Sequence, residues 1–298
     1  HNLIFLLRYA QLAKEEHARE MALHTLNNMY RGGLFDHVGG GFSRYSTDQH
    51  WLVPHFEKML YDNALLALAY TEAFQHTRCP IYGKITRRTL DYVLRELSGP
   101  QGGFCCGQDA DSDGVEGKYY ALIPDELAQA LGGVDGLRFC QWYGITPEGN
   151  FEGKSIPNLL GQSQFNQDPE DMAALREQVY AYRLSRTALH RDDKVLTAWN
   201  GLAMAALARA GLVLDEPWYL DAARQTAEFL AEKLTTSDGR LLARWRDGDA
   251  AHPGKLDDYA FLAYGLLELY SATFDASYLT RAVGLADCLL KLFFDGER

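Results

Sequence analysis

The chain has 298 residues, is 47 % hydrophobic and 23 % charged, and carries a formal net charge of −11. That is enough for one large domain or two ordinary ones. The acidity argues against a general nucleic-acid or anionic-membrane partner, and no apolar run approaches the ~18–20 uncharged residues of a membrane span.

Read in chain order, the opening residues run straight into a helical pattern near 3–30 and do not resemble a secretory signal. The next stretch, Gly32 to Ala64, is the most informative. It holds five glycines, the histidines His37, His50 and His55, and the acids Asp36, Asp48, Glu57 and Asp62. Glycine lets a ligand approach the backbone, and imidazoles beside carboxylates are what proton transfer needs. The stretch is expected to form part of an active-site rim.

Pro54 suits a helical first turn, so a helix is predicted over 54–76 with His55 and Glu57 at its start. His55 there reads either as a structural hydrogen-bonding residue or as a general acid/base. Over 81–97, Ile85, Thr89, Tyr92, Val93 and Leu97 form an apolar stripe. Asp109, Asp111, Asp113, Gly114 and Glu116 begin like a calcium loop, but Tyr120 stands where the bidentate glutamate belongs. An acidic loop or tight turn is the better reading, and no metal is expected.

Further helices are predicted over 124–143, 168–187, 196–214, 218–234, 256–274 and 277–294. Arg191, Asp192, Asp193 and Lys194 concentrate charge just ahead of 196–214, either as an ion-pair network or as groups for sugar hydroxyls. The five cysteines form no CxxC pair; Cys105-Cys106 reads as two small residues on a half-buried strand or turn. A reduced, cytoplasmic setting is expected.

The helices are of two kinds. The segment 219–234 is apolar on one face, whereas 60–70, 201–214 and 260–270 are apolar nearly all round and therefore expected to be buried on all sides. Alternation of the two kinds points to an all-α fold, an α/α toroid with an inner and an outer ring. The three buried helices also start alike, at Tyr61-Asp62-Asn63, Trp199-Asn200-Gly201 and Asp257-Asp258-Tyr259, a divergent repeat. Their N-terminal ends are expected to meet at one mouth of the ring. Asp62, Asn63, Asn200 and Asp258 are good caps, but Tyr61, Trp199 and Tyr259 are not needed for capping. Rings beside carboxylates and amides are how proteins hold sugars.

The motifs GGLFDHVGGGFSRYSTDQHWLVPHFEKMLYDNA, QDADSDGVEGKYY, GNFEGKSIPNLL, DDKVLTAWNG and LDDYAFLAYGLLELYSA resemble, in the same order, the thioredoxin-domain-containing YyaL/spermatogenesis-associated protein family. The resemblance covers essentially the whole chain. It implies an α/α toroid of the six-hairpin glycosidase and N-acylglucosamine 2-epimerase type. Residues 1–298 would be a single domain of about four and a half hairpins, part of a larger parent domain and lacking the thioredoxin-like domain of full-length relatives. This chain has Ser43 where the family commonly has histidine, and Lys255 where an apolar aromatic is usual.

The expected function is a carbohydrate-active enzyme, a sugar epimerase or isomerase or a glycoside hydrolase, working without a cofactor on a small carbohydrate in a central pit. The alternative is a non-catalytic sugar-binding or scaffold module that partners a thioredoxin-like domain. His37 and His55 are the candidate acid/base pair for epimerisation, and Asp62, Asp111, Asp193 and Asp258 the candidate carboxylates for hydrolysis. Substrate-binding candidates are Arg44, Tyr45, Glu57, Tyr61, Asn63, Trp199, Asn200 and Tyr259. An open ring edge would expose apolar helix faces and favour self-association.

Overall fold

A computed structural model describes residues 1–296. Among them the chain forms the α-helices α1 (Asn2–Ala13), α2 (Glu16–Arg31), α3 (Leu60–Thr77), α4 (Pro80–Tyr92), α5 (Pro124–Leu131), α6 (Gly133–Tyr143), α7 (Met172–Arg186), α8 (Thr197–Leu214), α9 (Pro217–Lys233), α10 (Leu256–Thr273) and α11 (Ala276–Phe293). Short strands occupy the connectors. The chain packs into two compact units. The first comprises His1–Met59, Cys79–Tyr92 and Gln108–His190; the second comprises Leu60–Arg78, Val93–Gly107 and the chain from Arg191 onward.

In the first unit the helix predicted over 3–30 is two. Lys14 takes a left-handed conformation at φ 57°, and α1 folds back on α2. One straight helix would leave the faces that hold Leu7 and Ala10, and Ala22 and Leu26, far apart; breaking it lets all four be buried. The helix predicted over 124–143 likewise divides at Gly132.

The helix predicted from Pro54 begins instead at Leu60. Pro54–His55 is a strand, paired antiparallel with Tyr45–Ser46 so that Tyr45 faces His55. The fixed φ of proline serves an extended chain as well as a helical turn. Two flanking bonds decide between them, as the N–H groups of Arg44 and Thr47 donate to the carbonyls of Glu57 and Val53. His55 and Glu57 are therefore strand and connector residues, not the start of a helix.

The acidic segment 109–116 is a hairpin of Asp111–Ser112 with Val115–Glu116. Asp113 and Gly114 form its turn with φ of 51° and 75°, the left-handed pair that Asp-Gly favours. The Asp113 carboxylate is taken by Lys118 Nζ at 2.8 Å and Thr187 Oγ1 at 2.9 Å.

In the second unit the three helices with the shared start pack side by side, α3 on α8 and α8 on α10. They run parallel. Near their N-terminal ends the Tyr61 and Trp199 rings meet at 4.7 Å, and the Ala198 N–H donates to Asp258 Oδ1 at 3.0 Å. Further along, Arg209 on α8 reaches Glu72 on α3 at 3.0 Å and Glu268 on α10 at 2.6 Å. The α8–α10 contact is a backbone approach: a Cβ on Gly201 would lie 2.6 Å from the Phe261 carbonyl group. Among the described residues helix α8 alone is long and apolar enough to cross a membrane, and 78 % of it is buried inside the protein.

Helix α10 departs from the expectation of burial on all sides. Phe261 and Leu267 are 36 % and 43 % exposed, because α8 and α11 cover only part of its circumference. Helix α4 ends in a π-helical turn, Val93–Leu97, in place of the regular continuation predicted to residue 97.

Candidate functional site

The two short strand pairs of the first unit bring together residues distant in sequence. His55 Nδ1 lies 2.9 Å from Glu116 Oε1, and its Nε2 lies 3.7 Å from Glu57 Oε2. The second distance is too long for a hydrogen bond. Glu57 is held instead by Arg44, whose Nη1 donates to Oε2 at 3.0 Å. The Tyr45 ring stacks on the imidazole at 5.1 Å and 27°. Asp111 is the cross-strand partner of Glu116. Five of the sequence candidates, Arg44, Tyr45, His55, Glu57 and Asp111, thus belong to one surface, and all are exposed or half-buried.

Glu116 was not a candidate, although it is the carboxylate nearest His55. Its signal was the Asp113-Gly114 turn, which places residue 116 opposite residue 111. What no local pattern carries is the pairing of residues 61 positions apart.

His37, the other histidine of the candidate pair, is 1 % exposed. The Tyr30, Phe35 and Tyr143 rings surround it at 5.3–5.5 Å, and its Nε2 bonds the Gly32 carbonyl at 3.1 Å. Burial, with help from the Arg88 cation, lowers its pKa to about 3, so the imidazole is neutral near pH 7. A substrate carbon reaches it only if the ring cage opens.

Beside it lies a buried charge cluster. Asp36 accepts from Lys58 Nζ at 2.8 Å and from both terminal nitrogens of Arg183 at 2.9 and 2.8 Å. Burial pushes the Asp36 carboxyl up, but the two cations outweigh it and hold it well below the usual carboxylate range. The spare positive charge rests on aromatic faces, Lys58 over Tyr92 at 4.4 Å and Arg183 over Tyr119 at 4.3 Å. Ser43, buried to 3 % exposure, lines a cavity of about 10 Å³ with Asp36, His37 and Tyr120, room for about one water.

The remaining candidates lie in the second unit, at the starts of its parallel helices. Tyr61, Asp62 and Trp199 are half-buried, and Tyr61 and Trp199 offer adjacent rings. Asp193 pairs with Arg246 at 2.8 Å, and Asp192 with Lys194 at 3.0 Å, so the charged run ahead of α8 is an ion-pair network.

The other four are enclosed. Asn63 is fully buried. Asn200 spends its amide on the backbone: Oδ1 accepts from Phe104 N–H at 2.7 Å, and Nδ2 donates to the Phe104 and Leu196 carbonyls at 2.9 Å. Tyr259 is 1 % exposed, and its hydroxyl accepts from Leu241 N–H at 3.0 Å. Asp258 accepts from the N–H groups of Lys255 and Ala198 at 2.8 and 3.0 Å; burial raises its pKa against those two bonds.

Cys105 and Cys106 are buried, and burial pushes the Cys106 thiol up to about 12, which leaves it inert as a nucleophile. Among the described residues no group of three His, Cys, Asp or Glu side chains is arranged to hold a metal ion.

The chain is 37 % identical to human (Homo sapiens) spermatogenesis-associated protein 20 over 323 aligned positions, which cover 94 % of this chain and 41 % of the relative. The chain is similar to that relative along nearly its whole length. It spans about two-fifths of the length of the curated mammalian relatives it matches. No protein-family model matches it.

Among solved structures, it is similar to a GH76 alpha-mannanase from Bacteroides thetaiotaomicron, with a TM-score of 0.54, 16 % identity, and coverage of 96 % of this chain and 59 % of the other. It is also similar to a D-mannose isomerase, with a TM-score of 0.56, 15 % identity, and coverage of 90 % and 49 %. At these identities the likeness establishes the fold, an α/α toroid of the six-hairpin glycosidase type.

Proposed function

We propose that the chain acts on free sugars as an isomerase, with His55 as the residue that moves the proton. The observation that carries this reading is the placement of His55 on the surface of the first unit, with one ring nitrogen bound and the other open. Nδ1–H donates to Glu116, which selects the tautomer with a lone pair on Nε2. On an open-chain aldose, the C2–H bond breaks and its proton passes to Nε2. The electron pair forms a C1–C2 double bond, and negative charge gathers on O1, where the Arg44 cation is at hand. Nε2 then returns the proton to C1 while the hydroxyl proton on O2 passes to O1, giving the ketose with all atoms conserved.

Isomerisation is favoured over epimerisation because one base serves it. Epimerisation calls for a second group on the opposite face of the carbon, and His37 sits closed within its cage of rings. The adjacent Tyr61 and Trp199 rings of the second unit support a carbohydrate ligand independently, as a stacking surface. Glycoside hydrolysis is the second reading, since the carboxylates of Glu57 and Glu116 flank His55 and both are part-exposed.

The test is incubation with D-mannose, D-glucose and D-fructose in deuterium oxide, followed by proton NMR, beside a panel of nitrophenyl glycosides. An isomerase interconverts the free sugars and exchanges deuterium at C2. His55→Gln abolishes both, and Glu116→Gln slows them by about 10²-fold or more. Release of nitrophenol with no exchange moves the assignment to hydrolysis. Silence in both assays with a folded protein favours a binding module.

A further inference from the structure

A second concave surface in the first unit is independent of the His55 cluster and shares no residue with it. It is a cleft of about 550 Å³, within the usual size range of small-molecule sites. Helix α2 contributes His24 and Asn28 to one wall, and the segment Gln49–Leu52 forms the other, with Trp51 in it. No Asp, Glu, Lys or Arg lines it. Its polar groups are two imidazoles and two carboxamides, and its apolar surface is an indole with two leucines.

The wall that carries Trp51 is built under strain. Trp51 has φ 64°, a left-handed conformation that is a genuine outlier for a bulky side chain. Three features hold it there. The Asp48 carboxylate accepts from the N–H groups of His50, Leu52 and Val53 at 2.5, 3.3 and 2.5 Å. The Leu34 N–H donates to the Trp51 carbonyl. Gly32 and Gly33 supply the bare backbone against which the segment rests: a Cβ on either would lie 1.9 Å from the Trp51 oxygen or 2.1 Å from the Leu52 oxygen. The segment is clamped so that a half-buried indole stands in a cleft wall.

The opposite wall is also set. Asn28 Nδ2 lies 3.0 Å from both His24 Nε2 and the His24 carbonyl, so its two hydrogens are used and Oδ1 is the group it can offer a ligand, as an acceptor. His24 Nε2 accepts that bond, which puts the ring proton on Nδ1 as a donor. Both imidazoles are exposed and both carboxamides reach solvent.

We propose that this cleft is a binding site for an uncharged pyranose. One apolar sugar face stacks on Trp51, and hydroxyls exchange hydrogen bonds with Asn28, Gln49 and the two imidazoles. With no Lys or Arg in its lining, the cleft offers anionic sugars and sugar phosphates no cationic fork to pair with. Preorganisation of Trp51 means that binding does not have to order it.

The experiment is titration of the whole chain with methyl glycosides of mannose, glucose and galactose, followed by calorimetry and saturation-transfer NMR. These glycosides cannot ring-open, so the proton-transfer chemistry of His55 does not consume them. One or more binds, and Asn28→Ala and Trp51→Ala each weaken it about tenfold or more, while His55→Gln leaves binding unchanged. Asn28 is a surface helix residue, so its variant tests the site even if the Trp51 variant fails to fold. The proposal is overturned if none of the glycosides binds, or if binding survives both cleft substitutions. It is also overturned if His55→Gln alone removes binding, or if glucuronate or mannose 6-phosphate binds the cleft more tightly than the neutral sugars. Failure here leaves the deuterium-exchange test of His55 unaffected.

Discussion

Acid should destabilise the first unit through His37, by an amount that its surroundings set. The ring is enclosed, and its pKa falls from 6.5 to about 3 on folding. A depressed histidine pKa means that the unfolded chain binds the proton more readily. Its contribution is fully present above about pH 6.5 and is lost as pH falls toward about 3, at ~1.4 kcal/mol per pH unit. Between pH 7 and about pH 4.5 the loss from this one group is therefore about 3 kcal/mol, a large part of a typical domain stability. His37→Phe keeps a ring in the cage and removes the titration, at the expense of the bond to the Gly32 carbonyl. Urea denaturation of both proteins at the two pH values isolates the term, since the carboxylates titrate in both alike. The native protein should lose about 3 kcal/mol more than the variant. Parallel pH profiles would refute the reasoning and mean that the cage admits a charged imidazole.

Asp36→Asn leaves the buried Lys58 and Arg183 without their anion and should cost about 3–5 kcal/mol, read by urea denaturation. Adding Lys58→Met to that variant should restore part of the loss, because it removes one of the stranded cations. Gly201→Val drives a branched side chain into the Phe261 carbonyl group and should cost about 1–3 kcal/mol, with faster amide exchange in α8 and α10 and not in α7.

Much of the fold was legible because burial leaves a local trace. Helices α3 and α8 lack a polar face, so their place in a core follows from composition along a few turns. Helix α9 shows its stripe, and its residues Ala223, Ala227 and Leu230 are buried as the spacing requires. The shared starts at Tyr61, Trp199 and Asp258 did mark three helices that lie side by side. The break at Lys14 was not legible, since no glycine or proline announces it. The exposure of Phe261 and Leu267 was not legible either, because hydrophobicity tells what a face prefers and not what neighbours it finds.

The candidate site was legible in its ingredients and not in its grouping. The residue types between Gly32 and Ala64 and around Asp111 named the acids and bases. Sorting them into exposed and enclosed required the tertiary structure. His37 and His55 look equivalent in sequence, yet one is in an aromatic cage and the other on a strand edge beside Glu116. Asn200 and Tyr259 look like ligand groups, yet their polar atoms complete backbone hydrogen bonds to Phe104, Leu196 and Leu241. Asp36 and Arg183 meet across 147 residues, and no periodicity encodes that contact.

The sequence by itself determined the class of fold, because helix periodicity and all-round apolarity are properties of neighbouring residues. Which histidine is enclosed and which is open to solvent, and which carboxylate lies beside it, only the tertiary structure decided. Solvent access and charge pairing depend on segments far apart in the chain, brought together by packing.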